Sequence, residues 1–281
     1  MILNIENNWM LTGGDSMLGR YLRARLEQSA PQPELTLFHC DGTDANDDAM
    51  RLNLEATERL LSNLPAEPRR VVYVSSWQVY SPDAGEGVDE TRPTFAWSEA
   101  GKSRARTELL LEKWAAAHGA TLTIVRPAQM FGTGVDGAML QLFNRAIRGH
   151  YVHIRGNEAK TSAVTALDAA EAIVRLAGQP GIFNISDGLA HRWIDLVEAM
   201  TANAGAQKRM THLPPKWAAF FYRWFRFLPI VEQTLSPAAL EPMSRTLVLD
   251  NSKTQRTTGM TFHNTHDVIA RRDKTYPYEN S

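Results

Sequence analysis

The chain has 281 residues, 43% of them hydrophobic and 22% charged, enough for one large domain, or one domain with a small appendage. Its formal net charge of −1 removes any global electrostatic case for nucleic acid or an anionic membrane. The single cysteine, Cys40, excludes an intrachain disulfide and a sulfur-ligated zinc cluster, and fits a reducing compartment.

Residues Met1 to Asn8 have no basic start and no apolar run, so they do not read as a secretory signal. No stretch reaches the roughly 20 apolar residues of a spanning helix. The nearest, Trp217 to Val231, is interrupted by Arg223, Arg226 and Pro229. A cytoplasmic location is the resulting expectation. Trp9 to Thr12 is a short apolar run ending at Gly13-Gly14. From Met17 the spacing of Leu18, Tyr21, Leu22 and Leu26 predicts a helix, broken by Ala30-Pro31-Gln32-Pro33. Leu35 to Phe38 reads as a buried strand and Leu52 to Leu64 as an amphipathic helix. Val71 to Val74 is the clearest strand, β-branched and followed by Ser75-Ser76. Lys102 to His118 reads as a helix closed by Gly119, and Thr121 to Val125 as a strand closed by Arg126-Pro127.

This alternation predicts an α/β fold, a doubly wound parallel sheet with helices on its faces. Beyond Gly132 helices are predicted at Ala138–Arg148, Asp168–Ala177 and Ile194–Ala202, with a strand at Gly181–Ile185. The expectation is a single domain, with a nucleotide-binding core over about residues 1–135 and a small substrate-side lobe over about 136–281 that returns to the sheet.

Between the first strand and helix stands Thr12-Gly13-Gly14-Asp15-Ser16-Met17-Leu18-Gly19, the context of a phosphate-binding turn. Gly13 can supply the tight turn and Gly19 the close helix–strand packing. Ser16 takes the place of the glycine that lets backbone approach a diphosphate. Gly13, Ser16, Met17 and Gly19 are therefore candidate cofactor contacts; a plain strand–turn–helix is the competing reading. The eight histidines include the pairs His150/His153 and His263/His266, but no carboxylate pattern completes a site, so no metal is expected. The aromatic run Trp217 to Phe227 reads either as a core or lid helix, or as a substrate-pocket wall, a dimer face or an interfacial membrane contact.

Five segments together carry a resemblance. They are Asn53–Thr57, Val72–Tyr80, Arg126–Gly132, Val164–Ile173 and Gly181–Ile185. In this order they resemble the extended short-chain dehydrogenase/reductases, the NAD-dependent epimerase/dehydratase family. The resemblance implies a Rossmann-type sheet, NAD or NADP as cofactor, a small-molecule substrate and a homodimer. It implies that Ser76 polarises a substrate carbonyl, that Lys102 holds the nicotinamide ribose, and that Pro127 lies beside the nicotinamide; a strand-end serine capping local backbone and a solvated lysine in a first helical turn are the competing readings of Ser76 and Lys102. Leu213-Pro214-Pro215, the aromatic run and Asp250–Lys253 are similar to the 3β-hydroxysteroid dehydrogenase-like branch, which implies a hydrophobic hydroxy or keto substrate.

The sequence departs from that family twice. The family's acid–base group is a tyrosine four residues before the lysine, whose charge lowers the phenol pKa. Four residues before Lys102 stands Ser98, a far poorer and shorter acid. No tyrosine lies between Tyr80 and Tyr151, so Tyr80 is the one available substitute, although the resemblance implies a structural role for it. The stretch from Gly19 to Asn53 is also about thirty residues shorter than a full dinucleotide-binding half provides. Either Leu37–Gly42 is the family's fourth strand, with the second and third missing, or it is the second strand and Asp41 or His39 lies near the ribose. The length of the connection from Asp41-Gly42 to Asn53 favours the former. Three functions follow: an NAD(P)-dependent oxidoreductase or epimerase with altered acid–base residues, acting on a hydrophobic or sugar-like compound; an inactive binding or scaffold subunit, in complex with another protein; or a non-redox enzyme reusing the cleft.

Overall fold

The computed structural model describes residues 2–4, 6–40, 47–132, 134, 137–203, 210–236, 240 and 243–270. The first half runs β1 (Ile2–Asn4), β2 (Trp9–Thr12), α1 (Met17–Gln28), β3 (Thr36–Cys40), α2 (Asp47–Ser62) and β4 (Arg70–Val74). Then come β5 (Gly85–Val88), α3 (Glu99–His118), β6 (Thr121–Pro127) and β7 (Gln129–Phe131). The second half continues with α4 (Gly137–Ile147), β8 (Val152–Ile154), β9 (Lys160–Thr161), β10 (Ala163–Thr165), α5 (Ala166–Leu176) and β11 (Gly181–Ile185). It ends with β12 (His191–Arg192), α6 (Trp193–Asn203), β13 (Thr211–Leu213), α7 (Pro215–Phe225), α8 (Pro229–Leu235), β14 (Leu247–Leu249), α9 (Ser252–Thr258) and α10 (Thr265–Ala270).

The main sheet has the order β1-β2-β3-β4-β6-β11. From β2 to β11 every pairing is parallel. Strands buried on both faces read as continuous apolar runs, and β2, β3 and β4 do. Met10, Leu37, Val71, Tyr73 and Ile124 point to one side, where Leu111 of α3 joins them. Leu11, Phe38, Val72, Val74 and Val125 point to the other, against Leu18, Leu22 and Leu26 of α1 and Ile173 of α5. A second core, with Phe131, Leu142, Tyr151, Trp193, Leu196 and Met200, knits the C-terminal lobe. A four-stranded sheet of order β12-β9-β14-β5 joins Gly85–Val88 of the first half to three strands of the second.

The strand order decides the question of the missing segment. β3 lies between β2, which feeds the glycine turn, and β4, which feeds Ser75-Ser76. In the doubly wound order 3-2-1-4-5 that place belongs to the fourth strand. On the outer edge of β2, where a second parallel strand would stand, lies β1, paired antiparallel. Asp41 lies outside the described residues. β1 carries no sequence signature, because three residues are too short to show a period.

Helix α3 begins three residues earlier than the apolar pattern predicts. Ser98 is its N-cap, with extended backbone, and Glu99 complements the N-terminal dipole in the first turn. Gly119 ends it in the left-handed conformation at φ 64°. Among the described residues no helix is long and apolar enough to cross a membrane, and no group of three His, Cys, Asp or Glu could hold a metal.

Candidate active site

The glycine turn has the shape its spacing predicts. Gly13 adopts φ +66°, and a Cβ there would lie 2.4 Å from the Cys40 carbonyl oxygen. A Cβ on Gly19 would lie 2.1 Å from the Gly13 oxygen. Both positions need glycine for packing alone. The Ser16 hydroxyl donates to the Gly13 carbonyl at 2.8 Å and accepts from the Gly19 amide at 3.1 Å, capping α1. Met17 opens the helix and is buried. The turn is then closed from outside. Ile2 of β1 packs over Gly14, its Cδ1 within 3.1 Å of where a Cβ would stand. Arg20 donates to the carbonyls of Asp15 (2.6 Å) and Gly134 (3.2 Å).

A dinucleotide needs more than this turn. Its adenosine half rests against the second parallel strand, whose acidic end reads the ribose. Here that edge is β1, and its one polar side chain, Asn4, accepts a hydrogen bond from the Asn7 amide at 3.0 Å. Among the described residues, the turn and the α1 N-terminus are placed for a diphosphate, and no second parallel strand stands on the outer edge of β2.

The remaining predicted residues have the following settings. Ser76 caps the short turn Trp77–Val79, accepting from the Gln78 amide at 3.2 Å. Ser98 accepts from the Gly101 amide at 3.0 Å. These two segments adjoin, since a Cβ on Gly101 would meet the Gln78 carbonyl oxygen at 2.2 Å. Lys102 lies off the buried stripe of α3 formed by Ala100, Ser103, Thr107, Leu111 and Ala115. Its ammonium pairs with Glu99 at 2.6 Å, the two side chains being 43% and 47% exposed. Ser98, outside the helix, and Lys102, at its surface, are not an i, i+4 pair on one helix face. Pro127 ends β6 opposite Ile185.

Behind these segments runs a buried polar chain that the sequence reading missed. Ser75 donates to Glu108, and Glu108 takes a two-pronged bond from Arg126, Nε to Oε1 at 3.0 Å and Nη2 to Oε2 at 2.6 Å. The Arg126 Nη1 donates to the Tyr80 hydroxyl at 2.9 Å, which donates to Asn184 Oδ1 at 2.8 Å. Asn184 Nδ2 donates on to the Val88 and Asp250 carbonyls. Burial holds the Tyr80 phenol above its ordinary pKa, against the pull of Arg126. Burial alone would lower the Arg126 pKa, but the Glu108 carboxylate overcomes it and keeps the guanidinium charged. Tyr80 is thus a buried, neutral strut at 0% exposure. The signal for the chain was an arginine inside a buried apolar strand, which demands a counter-charge.

A second feature absent from the sequence reading is a cleft of about 510 Å3 in the C-terminal lobe, under α7. Ile154, Ala218, Leu235 and Leu240 give it apolar walls, and Arg155, Tyr222 and Ser244 give it polar ones.

A parallel doubly wound sheet, a glycine turn and a serine-bearing strand end define a Rossmann-type nucleotide-fold protein. The family model described as NAD dependent epimerase/dehydratase family matches residues 36–186, and the chain belongs to that family. The match begins at β3 and does not select the 3β-hydroxysteroid dehydrogenase-like branch. No curated protein matches the chain significantly. Among solved structures, the UDP-glucose 4-epimerase of Thermotoga maritima with UDP-glucose is 17% identical, with 96% of this chain and 98% of that one covered and a TM-score of 0.69. RMD from Pseudomonas aeruginosa complexed with NADPH is 15% identical over 96% and 99%, with a TM-score of 0.67. The UDP-N-acetylglucosamine 4-epimerase of Bacillus cereus is 15% identical over 97% of both chains, also at 0.67. At such identities the likeness is one of fold.

Proposed function

We propose that this protein uses the epimerase fold to bind a small molecule and does not carry out nicotinamide redox chemistry, acting as a binding or scaffold subunit. The observation that carries this reading is the strand order, with β1 standing where the adenosine-binding strands belong. Three side-chain settings support it: Ser16 and Ser98 act as helix caps, and Lys102 is paired with Glu99. The cleft under α7 is the candidate ligand site. Its volume lies within the ordinary small-molecule range, and one cation among apolar walls suits a compound with an anionic group and a hydrophobic body.

A second reading, an NAD(P)-dependent oxidoreductase or epimerase with altered acid–base residues, is favoured by family membership and by the Gly13–Gly19 geometry. In it Ser76 would meet the substrate carbonyl, and Gly13, Ser16, Met17, Gly19, Lys102 and Pro127 would line the cofactor. The NADPH and UDP-glucose bound to fold relatives support that alternative. One titration separates the two. The purified protein is titrated with NADH and NADPH while nicotinamide fluorescence is followed. The expected outcome is no saturation at millimolar cofactor. Saturable micromolar binding that weakens in Lys102→Ala restores the redox enzyme and overturns the proposal.

A further inference from the structure

Helix α7 is an aromatic helix that the fold leaves almost entirely outside. Its one buried residue is Ala218, and with Tyr222, four residues on, it forms the underside over the cleft. Trp217, Phe220, Phe221 and Trp224 recur at three- and four-residue spacing and so share the outward side. Trp224 is 62% exposed, and Phe227, just past the helix end, 74%. The rings support one another: Trp217 meets Phe220 edge-on at 5.8 Å, and Phe220 meets Trp224 at 6.4 Å. With roughly 200 Å2 on each aromatic side chain, the exposed fractions amount to about 600 Å2 of apolar surface, the upper end of what a soluble monomer tolerates.

Within the segment itself the charges all have one sign. Lys216 and Arg223, seven residues apart, flank the aromatic arc, and Arg226 caps the helix. No acidic residue occurs between Thr211 and Val231. The protein as a whole is nearly neutral, so the patch is a local field, not a consequence of composition.

We infer that α7 docks the protein on an anionic lipid surface, lying in the plane of the interface. Tryptophan and phenylalanine beside lysine and arginine, without acids, is the residue pattern of an interfacial amphipathic helix. The same charges argue against a second copy as the occupant. A two-fold interface would set this patch against itself, cation to cation, with no carboxylate of the segment between them. An anionic membrane neutralises all three cations and dissolves the rings at headgroup depth. The cleft under α7 then lies on the membrane side of the protein.

The test is cosedimentation of the full chain with vesicles of phosphatidylcholine alone and of phosphatidylcholine with one-third phosphatidylglycerol. The variants are Phe220→Ser/Trp224→Ser and Arg223→Gln/Arg226→Gln, with circular dichroism as the folding control. Each cation beside an anionic surface is worth about fivefold in partitioning. The arginine variant should therefore bind the anionic vesicles about 25-fold more weakly, and the aromatic variant at least tenfold more weakly on both vesicle types. High salt should bring the arginine variant and the parent together. Absence of binding to the anionic vesicles overturns the inference, as does binding that survives the aromatic substitutions. A concentration-dependent dimer that dissociates on Phe220→Ser/Trp224→Ser without vesicle binding assigns the face to a second copy instead. None of these outcomes depends on whether the chain binds a nicotinamide cofactor.

Discussion

The buried pair Glu108–Arg126 offers the sharpest measurement. Replacing Glu108 with glutamine leaves its shape and one acceptor oxygen but removes the counter-charge. The side chains are 5% and 3% exposed, so water cannot replace the lost carboxylate. The raised affinity of Arg126 for its proton means that the guanidinium stays charged. Removing one partner of a buried pair costs about 3–5 kcal/mol. For a chain of this size each kcal/mol lowers Tm by roughly 2–4 °C, so Glu108→Gln should lower it by about 6–20 °C. Calorimetry or a urea melt reads this directly. The double variant Glu108→Leu/Arg126→Met removes both charges, and should be less destabilised than Glu108→Gln alone. A loss under about 1 kcal/mol for the single variant, or a double variant that is simply the sum of two losses, would refute the account of this chain as a buried and mutually dependent network.

Three further outcomes are expected. Ser98→Ala should cost about 1 kcal/mol in a thermal melt, the worth of an N-cap, and should leave any ligand affinity unchanged; a changed affinity would return Ser98 to the site. Gly13→Ala combines a positive φ with a clash at 2.4 Å against β3, and should cost at least about 2 kcal/mol or prevent folding. Burial pushes the Tyr151 phenol from 10.0 up to about 12. A folded-state pKa above the unfolded value contributes stability that is complete below pH 10 and is lost as pH rises toward 12. The loss should reach about 2–3 kcal/mol, and Tyr151→Phe should flatten that part of the stability profile measured by urea melts.

Much of the fold was legible because apolar runs and helical spacings are local. Val71–Val74, Gly181–Ile185 and the helix of Leu18, Leu22 and Leu26 needed no tertiary information. The identity of β3 was not legible in that way. Leu37–Cys40 is an apolar strand in either alignment, and only its neighbours β2 and β4 distinguish a fourth strand from a second. Ser98 was read as the remnant of a catalytic pair by counting back from Lys102. A serine directly before Glu99 at the start of a helical run is also a cap signal, and the hydrogen bond to Gly101 is of that kind. Glu108 was hidden among the charges of an amphipathic helix; its partner Arg126, set between Val125 and Pro127, was the visible half. The aromatic run could be core or surface, since its composition is the same in both; which side of α7 meets the protein was decided by Ala218 and Tyr222.

The small strand β1 also bears on solubility. Dropping two strands from a doubly wound sheet turns a central strand into a rim. β2 is such a strand, with Trp9, Met10 and Leu11 almost wholly shielded and a full row of amide and carbonyl groups along its outer side. Left bare, that row would recruit strands from other molecules. Ile2, Leu3 and Asn4 occupy it in register with Leu11, Met10 and Trp9. The short antiparallel strand thus covers the rim that β2 presents, and a version trimmed of its first five residues should expose a template for aggregation.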